Sequence, residues 1–248
     1  MKLILNGCLG RMGRAVTELA SARGAEVVAG VDIATADAAY PVVTEWADLP
    51  AADCVIDFSN PDALAAELVY ITAHGLPLVL CTTGLSAEQL AAVDEAAKTV
   101  PVFRSGNMSL GIAVLSALTK KAAAVLGDTF DIEIVEMHHN QKLDAPSGTA
   151  LMLADAARAG LSYEPEYTYD RHTRRQKRDK KEIGIAALRG GTVVGEHSVY
   201  FAGEQEVITL SHSAGSRSVF AAGALAAARF LQGKPAGLYS MEDMMDGI

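Results

Sequence analysis

The sequence predicts an α/β protein, with a doubly wound parallel sheet first and a second, α+β sheet domain after it. Three observations predict this. Short apolar runs alternate with helical patterns through the first half of the chain. A glycine-rich turn, Gly7 to Gly13, joins the first such run to the first helical pattern. Beyond Asn107 the alternation gives way to consecutive strand-like runs with few helices between them. Strands that alternate with helices imply crossover units and a parallel sheet covered on both faces, whereas runs of strands imply a separate α+β layer.

In order, the expected strands of the first half are Leu3–Asn6, Glu26–Asp32, Asp53–Phe58, Leu76–Leu80 and Val100–Phe103. Each is short, rich in Val, Ile, Leu or Phe, and bounded by turn residues. The helices between them are Met12–Arg23, Pro61–His74 with proline in its first turn, and Ser86–Lys98, where serine caps a first turn carrying Glu88 and Gln89. In the second half Leu110–Leu126 and Gly148–Ala159 read as helices. Asp131–Val135, Ile183–Leu188, Val193–Phe201 and Glu206–Ser211 read as strands. Arg217–Leu231 is again helical and is expected to pack back on the first domain. The expected division is residues 1–108 with 217–248 for a dinucleotide-binding domain, and 109–216 for substrate binding and oligomerisation.

Composition narrows the function classes. The chain has 248 residues, half of them hydrophobic, and a net charge of −9. That charge has the wrong sign for a dedicated nucleic-acid binder. No apolar run approaches the ~20 residues of a membrane-spanning helix, and the opening Met1–Gly7 is too short for a secretory signal. Three cysteines (Cys8, Cys54, Cys81) without C-x-x-C spacing disfavour a disulfide scaffold or a structural zinc site, so a cytoplasmic location is expected. Asp170–Glu182 stands apart, with seven Lys/Arg and a net charge of +4. It reads as a solvated, mobile loop, with anion steering or a subunit contact as the functional alternatives.

Gly7-Cys8-Leu9-Gly10-Arg11-Met12-Gly13 sits between a strand and a helix. Such a turn lets backbone N–H groups meet a pyrophosphate at the positive end of the helix dipole. Asp32 closes the second strand, nineteen positions after Gly13, where a carboxylate can accept hydrogen bonds from ribose hydroxyls. The spacing is G-x-x-G-x-x-G rather than G-x-G-x-x-G, so the plain alternative is a structural turn and a surface aspartate. Ser59, Cys81-Thr82-Thr83-Gly84 and Ser105-Gly106-Asn107-Met108 follow other strands, and ligands of open α/β sheets sit outside such strand ends.

Glu136–Thr149 holds the densest chemistry: His138, His139, Lys142 and, after Pro146, Ser147-Gly148-Thr149. Pro146 and Gly148 argue for a strand, a polar loop holding both histidines, and a helix beginning near Ser147. The helix start offers N–H groups and two hydroxyls to an anion. His138 and Lys142 can supply a proton and a fixed positive charge. This suits a substrate with carboxylates that is protonated after hydride addition. The plain alternatives are a surface histidine pair and a simple N-cap. No H-E-x-x-H or zinc-type Cys/His spacing occurs, so no metal is expected.

These motifs resemble the dihydrodipicolinate reductase family over nearly the whole chain. The resemblance rests on G-x-x-G-R-M-G at Gly7–Gly13, D-F-S at Asp57–Ser59, T-T-G at Thr82–Gly84 and G-N-M-S-L-G at Gly106–Gly111. Above all it rests on E-M-H-H-N-Q-K-L-D-A-P-S-G-T at Glu136–Thr149, and it continues in E-I-G at Glu182–Gly184, L-R-G-G-T-V-V-G-E-H at Leu188–His197 and F-A-A-G-A-L at Phe220–Leu225. It implies a Rossmann-like first domain and reduction of 4-hydroxy-tetrahydrodipicolinate by NAD(P)H on the diaminopimelate route to lysine. By this resemblance His138 is the proton donor and Lys142 a second acid or charge-stabilising group. His139, Ser147, Gly148 and Thr149 hold the substrate carboxylates. Gly7, Cys8, Leu9, Gly10, Arg11, Met12, Asp32, Cys81, Thr82, Thr83, Ser105, Gly106, Asn107 and Met108 bind the cofactor. A homotetramer is implied as well. Asp32 repels the extra phosphate of NADPH, so NADH is the expected preference, with Arg11 as a partial offset. Two other readings stand beside it: a different amino-acid or imine dehydrogenase on the same plan, and a dinucleotide-sensing regulator using the basic loop as its partner surface.

Overall fold

The computed structural model describes residues 1–246. The chain divides into two compact units, Met1–Ser109 with Arg217–Ile248, and Leu110–Ser216.

The first unit is built as β1 (Lys2–Asn6), α1 (Arg11–Ala20), β2 (Glu26–Val31), β3 (Val42–Val43), β4 (Cys54–Asp57), α2 (Leu64–His74), β5 (Leu78–Leu80), α3 (Ala87–Ala96) and β6 (Pro101–Arg104). Its strands form one seven-stranded sheet ordered β12-β6-β5-β4-β1-β2-β3, with β12 being Gly237–Tyr239 from the end of the chain. Every pairing in it is parallel. The strand order reverses between β2-β1 and β4-β5, and the carboxyl ends at such a reversal are where open α/β sheets bind ligands. Leu3, Ile4, Leu5, Val55, Ile56, Leu78, Val79 and Leu80 are wholly buried, as a sheet covered on both faces requires.

The expected helices are shorter than their patterns. The first ends at Ala20, continues as a 3₁₀ turn over Ser21–Arg23 and stops at Gly24 in the left-handed region. Pro61–Ala63 is likewise a 3₁₀ turn, capped by the Asn60 side chain, before α2 begins. Ser86 and Gln89 form a reciprocal capping box at α3. The short strands β3 and β12 carry too few residues to show a period, and pairing with neighbours defines them.

The second unit contains α4 (Leu110–Leu126), β7 (Asp131–His138), α5 (Gly148–Gly160), β8 (Glu166–Thr168), β9 (Glu182–Arg189), β10 (Gly195–Ala202) and β11 (Val207–Ala214). Its mixed sheet is ordered β11-β10-β7-β9-β8. Ile132, Ile134, Ile183, Ile185, Val199 and Phe201 on one face pack with Ile112, Leu115, Ala150, Leu153 and Ala157 of α4 and α5. The remaining helices, α6 (Ser218–Phe230) and α7 (Met241–Asp246), belong to the first unit. Among the described residues no helix is long and apolar enough to cross a membrane.

The basic segment is a loop, as expected, but it is pinned by ion pairs where a free, solvated one was expected. Arg171 pairs with Glu133 and Glu182, Arg174 with Glu182, Arg178 with Asp131 and Glu133, and Lys180 with Asp131. Four of its seven cations therefore neutralise carboxylates on β7 and at the start of β9, and the segment is fastened to the sheet. Seen alone, the charge run gives no hint of Asp131 and Glu133, because they lie about forty residues off in the sequence.

Candidate active site

In the first unit the glycine turn is a steric requirement. Gly7 has φ +75°, and a Cβ there would lie 2.6 Å from the carbonyl oxygen of Phe58. A Cβ on Gly13 would strike the Gly7 carbonyl. Gly10 caps α1 with no side-chain hydrogen bond, which leaves the first-turn N–H groups to an external acceptor. Asp32 lies one residue beyond β2, not within it as expected. Its Oδ2 accepts the Leu9 N–H at 2.8 Å and its Oδ1 the Ile33 N–H at 2.8 Å. The carboxylate thus ties the turn to the second strand. This cradle of N–H groups, with an acidic residue beside it, fits a nicotinamide dinucleotide.

The other sequence-identified cofactor positions lie at neighbouring strand ends. Thr82 and Cys81 are buried, and the Cys81 N–H donates to the Asp57 carbonyl at 2.9 Å. Thr83 and Gly106 are exposed. The Ser105 hydroxyl donates to the Asn107 carbonyl at 2.7 Å, which shapes the loop after β6. Cys8 and Met108 are each only 2% exposed, so their side chains serve packing.

In the second unit β7 runs three residues beyond its expected end, to His138. His138 is thus the last strand residue and lies outside the polar loop in which the sequence placed it. The reason is pairing on both sides, with His138 opposite Arg189 of β9 and Met137 opposite Glu196 of β10. The strand alternates strictly, so Ile132, Ile134, Glu136 and His138 share the buried face. Two core isoleucines are followed, at the same parity, by an acid and an imidazole.

Glu136, wholly buried, organises the site. Its Oε2 meets His138 Nδ1 at 2.6 Å, and its Oε1 accepts the Ser147 N–H at 3.0 Å. Arg189 grips both oxygens, with 2.8 Å to each, and also donates to the Asp144 carbonyl at 2.7 Å. Burial would raise the Glu136 carboxyl, but Arg189, His138 and the Ser147 N–H outweigh it and hold the group below its usual range. Burial pushes the His138 imidazole down, with Lys142 and Arg189 adding to that and Glu136 opposing it. With Glu136 ionised, His138 donates from Nδ1, so Nε2 is the nitrogen left for a ligand. Nε2 lies 3.1 Å from where a Cβ on Gly195 would stand, and the glycine leaves that approach open.

His197 of β10 completes the cluster. Its Nε2 is 2.9 Å from the Ser147 hydroxyl, which also accepts the Ala150 N–H at 3.1 Å and so caps α5. Its ring stands edge-on to His138 with centroids 5.1 Å apart. Burial and the neighbouring His138 push it down to about 4, so it is neutral at pH 7. Lys142 Nζ meets Asp144 Oδ1 at 2.8 Å. The His139 N–H donates to the Val193 carbonyl at 2.7 Å, and Gly148 and Thr149 occupy the first turn of α5. Glu136, Arg189 and His197 were missed in the sequence. Parity along β7 is the signal that would have found Glu136; Arg189 and His197 arrive only by sheet pairing. Among the described residues no group of three or more His, Cys, Asp or Glu converges for a metal ion.

Residues 1–108 match the family description "Dihydrodipicolinate reductase, N-terminus", and residues 111–245 match "Dihydrodipicolinate reductase, C-terminus". The 4-hydroxy-tetrahydrodipicolinate reductase of Caldanaerobacter subterraneus subsp. tengcongensis is 53% identical over 99% of this chain and 98% of its own length. The protein of the same name from Clostridium tetani is 47% identical over 99% of this chain and 97% of its own. Among solved structures, a dipicolinate-bound dihydrodipicolinate reductase from Paenisporosarcina sp. shares the fold, with a TM-score of 0.80 at 24% identity over 97% of both chains.

Proposed function

The chain belongs to the dihydrodipicolinate reductase family, and from that premise we propose that it reduces 4-hydroxy-tetrahydrodipicolinate to tetrahydrodipicolinate on the diaminopimelate route to lysine. It is an oxidoreductase that uses a nicotinamide cofactor. The observation that carries the proposed site is the Glu136–His138 contact, which fixes the imidazole and presents Nε2 beside the start of α5.

The cofactor, when bound, supplies a hydride to C4 of the ring. The Arg11 and Met12 N–H groups that open α1 would receive its pyrophosphate, with Gly7, Cys8, Leu9 and Gly10 shaping the turn beneath it, and Asp32 would receive the adenosine ribose. Cys81–Thr83 and Ser105–Met108 line the strand ends beyond. On the second unit, the Gly148 and Thr149 N–H groups and the Ser147 and Thr149 hydroxyls, with His139, hold the two substrate carboxylates. Water would leave as the C4 hydroxyl together with a hydrogen of the neighbouring carbon, and, with hydride entering at C4 of the resulting conjugated ring, His138 would return one proton from Nε2 to that neighbouring carbon. Lys142 lies close enough to depress His138, and its ammonium stabilises the negative charge that develops on the ring. A dicarboxylate arriving beside His138 raises the imidazole pKa, so the substrate itself loads the acid.

The preferred cofactor is NADH, because Asp32 disfavours a 2′-phosphate. The assembly is a homotetramer in the cytoplasm. Support for the tetramer comes from the sheet face that carries Val135, Met137, Leu188 and Tyr200, which points away from α4 and α5. The direct test generates the substrate in situ from pyruvate and aspartate semialdehyde with the upstream synthase and follows loss of nicotinamide absorbance. Tight NADH binding without turnover would instead favour a dinucleotide-sensing regulator.

A further inference from the structure

Beneath the strand ends of the first unit lie buried polar groups, of which only Thr82 belongs to the assigned cofactor site. Asn6 ends β1 and Asp57 ends β4, and they are register partners on adjacent strands. Thr82 lies two residues beyond β5, and Glu67 projects from α2. Asn6 is 2% exposed, Asp57 and Glu67 0%, and Thr82 8%. Asn6 Nδ2, Asp57 Oδ2, both Glu67 oxygens and Thr82 Oγ1 are buried with no hydrogen-bond partner. Leaving that many polar atoms unsatisfied is costly. Their inventory suggests how they are satisfied. The Asn6 amide and the Thr82 hydroxyl can donate to carboxyl oxygens, but two carboxyls buried together without a cation are relieved of charge repulsion by a single carboxylic proton held between them.

We propose that Asp57 and Glu67 share one proton, and that this proton-sharing pair positions the loops that bind the dinucleotide. The inference rests on the cofactor site assigned above.

The connections run directly from the pair to that site. Asp57 Oδ1 accepts the Ser59 N–H at 2.7 Å, and the Asp57 carbonyl accepts the Cys81 N–H at 2.9 Å. The Phe58 N–H donates to the Asn6 carbonyl at 3.0 Å, and the Phe58 carbonyl lies against Gly7. The loops after β1, β4 and β5 therefore all register on Asp57 and its neighbours. Burial raises the carboxyls of both residues, and each is felt by the other. The titratable group felt by both carboxyls is Cys81, a buried thiol held protonated by burial. On α2, His74 lies two turns away and bonds to Tyr70. α6, which packs on β4 and β5, has Arg229 as its one charged residue, and that guanidinium lies at Gly24, before the start of β2. Among the described residues no Lys or Arg forms an ion pair with Asp57 or Glu67. Loss of the shared proton therefore puts two uncompensated charges under the cofactor loops.

The test is NADH affinity against pH for the whole chain, by fluorescence titration without substrate, beside infrared detection of a protonated-carboxyl C=O band. The expected wild-type result is such a band at pH 7. Affinity should fall by up to about tenfold per pH unit above the ionisation of the pair. Glu67→Gln, which keeps the shape and a permanent donor, should lose the band and the alkaline fall while binding NADH within about threefold of wild type at pH 7. Glu67→Leu, which leaves Asp57 without a partner, should bind more weakly than Glu67→Gln. Absence of the band in the wild type, or an unchanged alkaline fall in Glu67→Gln, overturns the proposal. A wild type with the band that binds no NADH at any pH locates the failure in the cofactor site instead, and the position of NADH binding with it; for the positioning role that result is also negative.

Discussion

The Nδ1 nitrogen of His138 lies 2.6 Å from Oε2 of Glu136, two residues back on the same face of the same strand. The same carboxylate accepts the Ser147 N–H and is gripped by Arg189. One buried acid thus fixes the imidazole, the helix start and an arginine at once. Because burial holds His138 below its ordinary 6.5 while Glu136 pulls it up, the acid limb of catalysis is set by both. If protonated His138 is the donor, kcat/KM falls as pH rises through a value below 6.5. Glu136→Gln removes the pull and moves that fall to lower pH, whereas an unmoved profile rules out the coupling. His138→Ala and Lys142→Ala each lose about 10²–10⁴ in rate with NADH binding kept. Near-normal turnover of both single variants would sink the assignment.

The substrate's carboxylates belong at the first turn of α5. Thr149→Val removes a hydroxyl at nearly constant bulk and should raise KM for the substrate several-fold while leaving KM for NADH unchanged. Pyridine-2,6-dicarboxylate should compete with the substrate. Equal effects on both KM values, or no competition, would place the carboxylates elsewhere.

Asp32 accepts the Leu9 and Ile33 N–H groups, so truncating it would loosen the glycine turn as well as remove a charge. Asp32→Asn separates the two, because its amide oxygen can still accept a backbone N–H. The wild type should favour NADH by roughly tenfold, equivalent to about 1.4 kcal/mol, and less as salt is added. Asp32→Asn should narrow the gap mainly by improving NADPH. A wild-type preference for NADPH, read as kcat/KM at matched ionic strength, would make Arg11 the dominant charge.

His197 is neutral in the fold and ionises only near pH 4, whereas in the unfolded chain it ionises near 6.5. Between those values the unfolded state binds more protons, so stability present above pH 6.5 is lost as pH falls towards 4, by roughly 3 kcal/mol in all. His197→Gln keeps a polar partner for Ser147 and should show a smaller fall in urea midpoint between pH 7 and pH 4.5. A fall equal to that of the wild type would mean that His197 is not the group responsible.

The sequence by itself determined the parallel sheet, because buried strands such as Val55–Ile56 and Leu78–Leu80 must be apolar throughout and are bounded by turn residues. It also determined the glycine turn, because no side chain fits at Gly7 or Gly13, and the helix start at Ser147, because proline, serine and glycine mark it locally. Those are short-range constraints, legible within a few residues. Only the tertiary structure decided that His138 ends a strand, since the pairing with Arg189 and the flanking β10 extends β7 past its apolar pattern. Only it brought Arg189 to Glu136 and His197 to Ser147, across separations of about fifty residues that no local period records. It also fastened the basic segment, an expected free loop, to Asp131 and Glu133, because charge complementarity depends on which distant carboxylates the sheet lays alongside it.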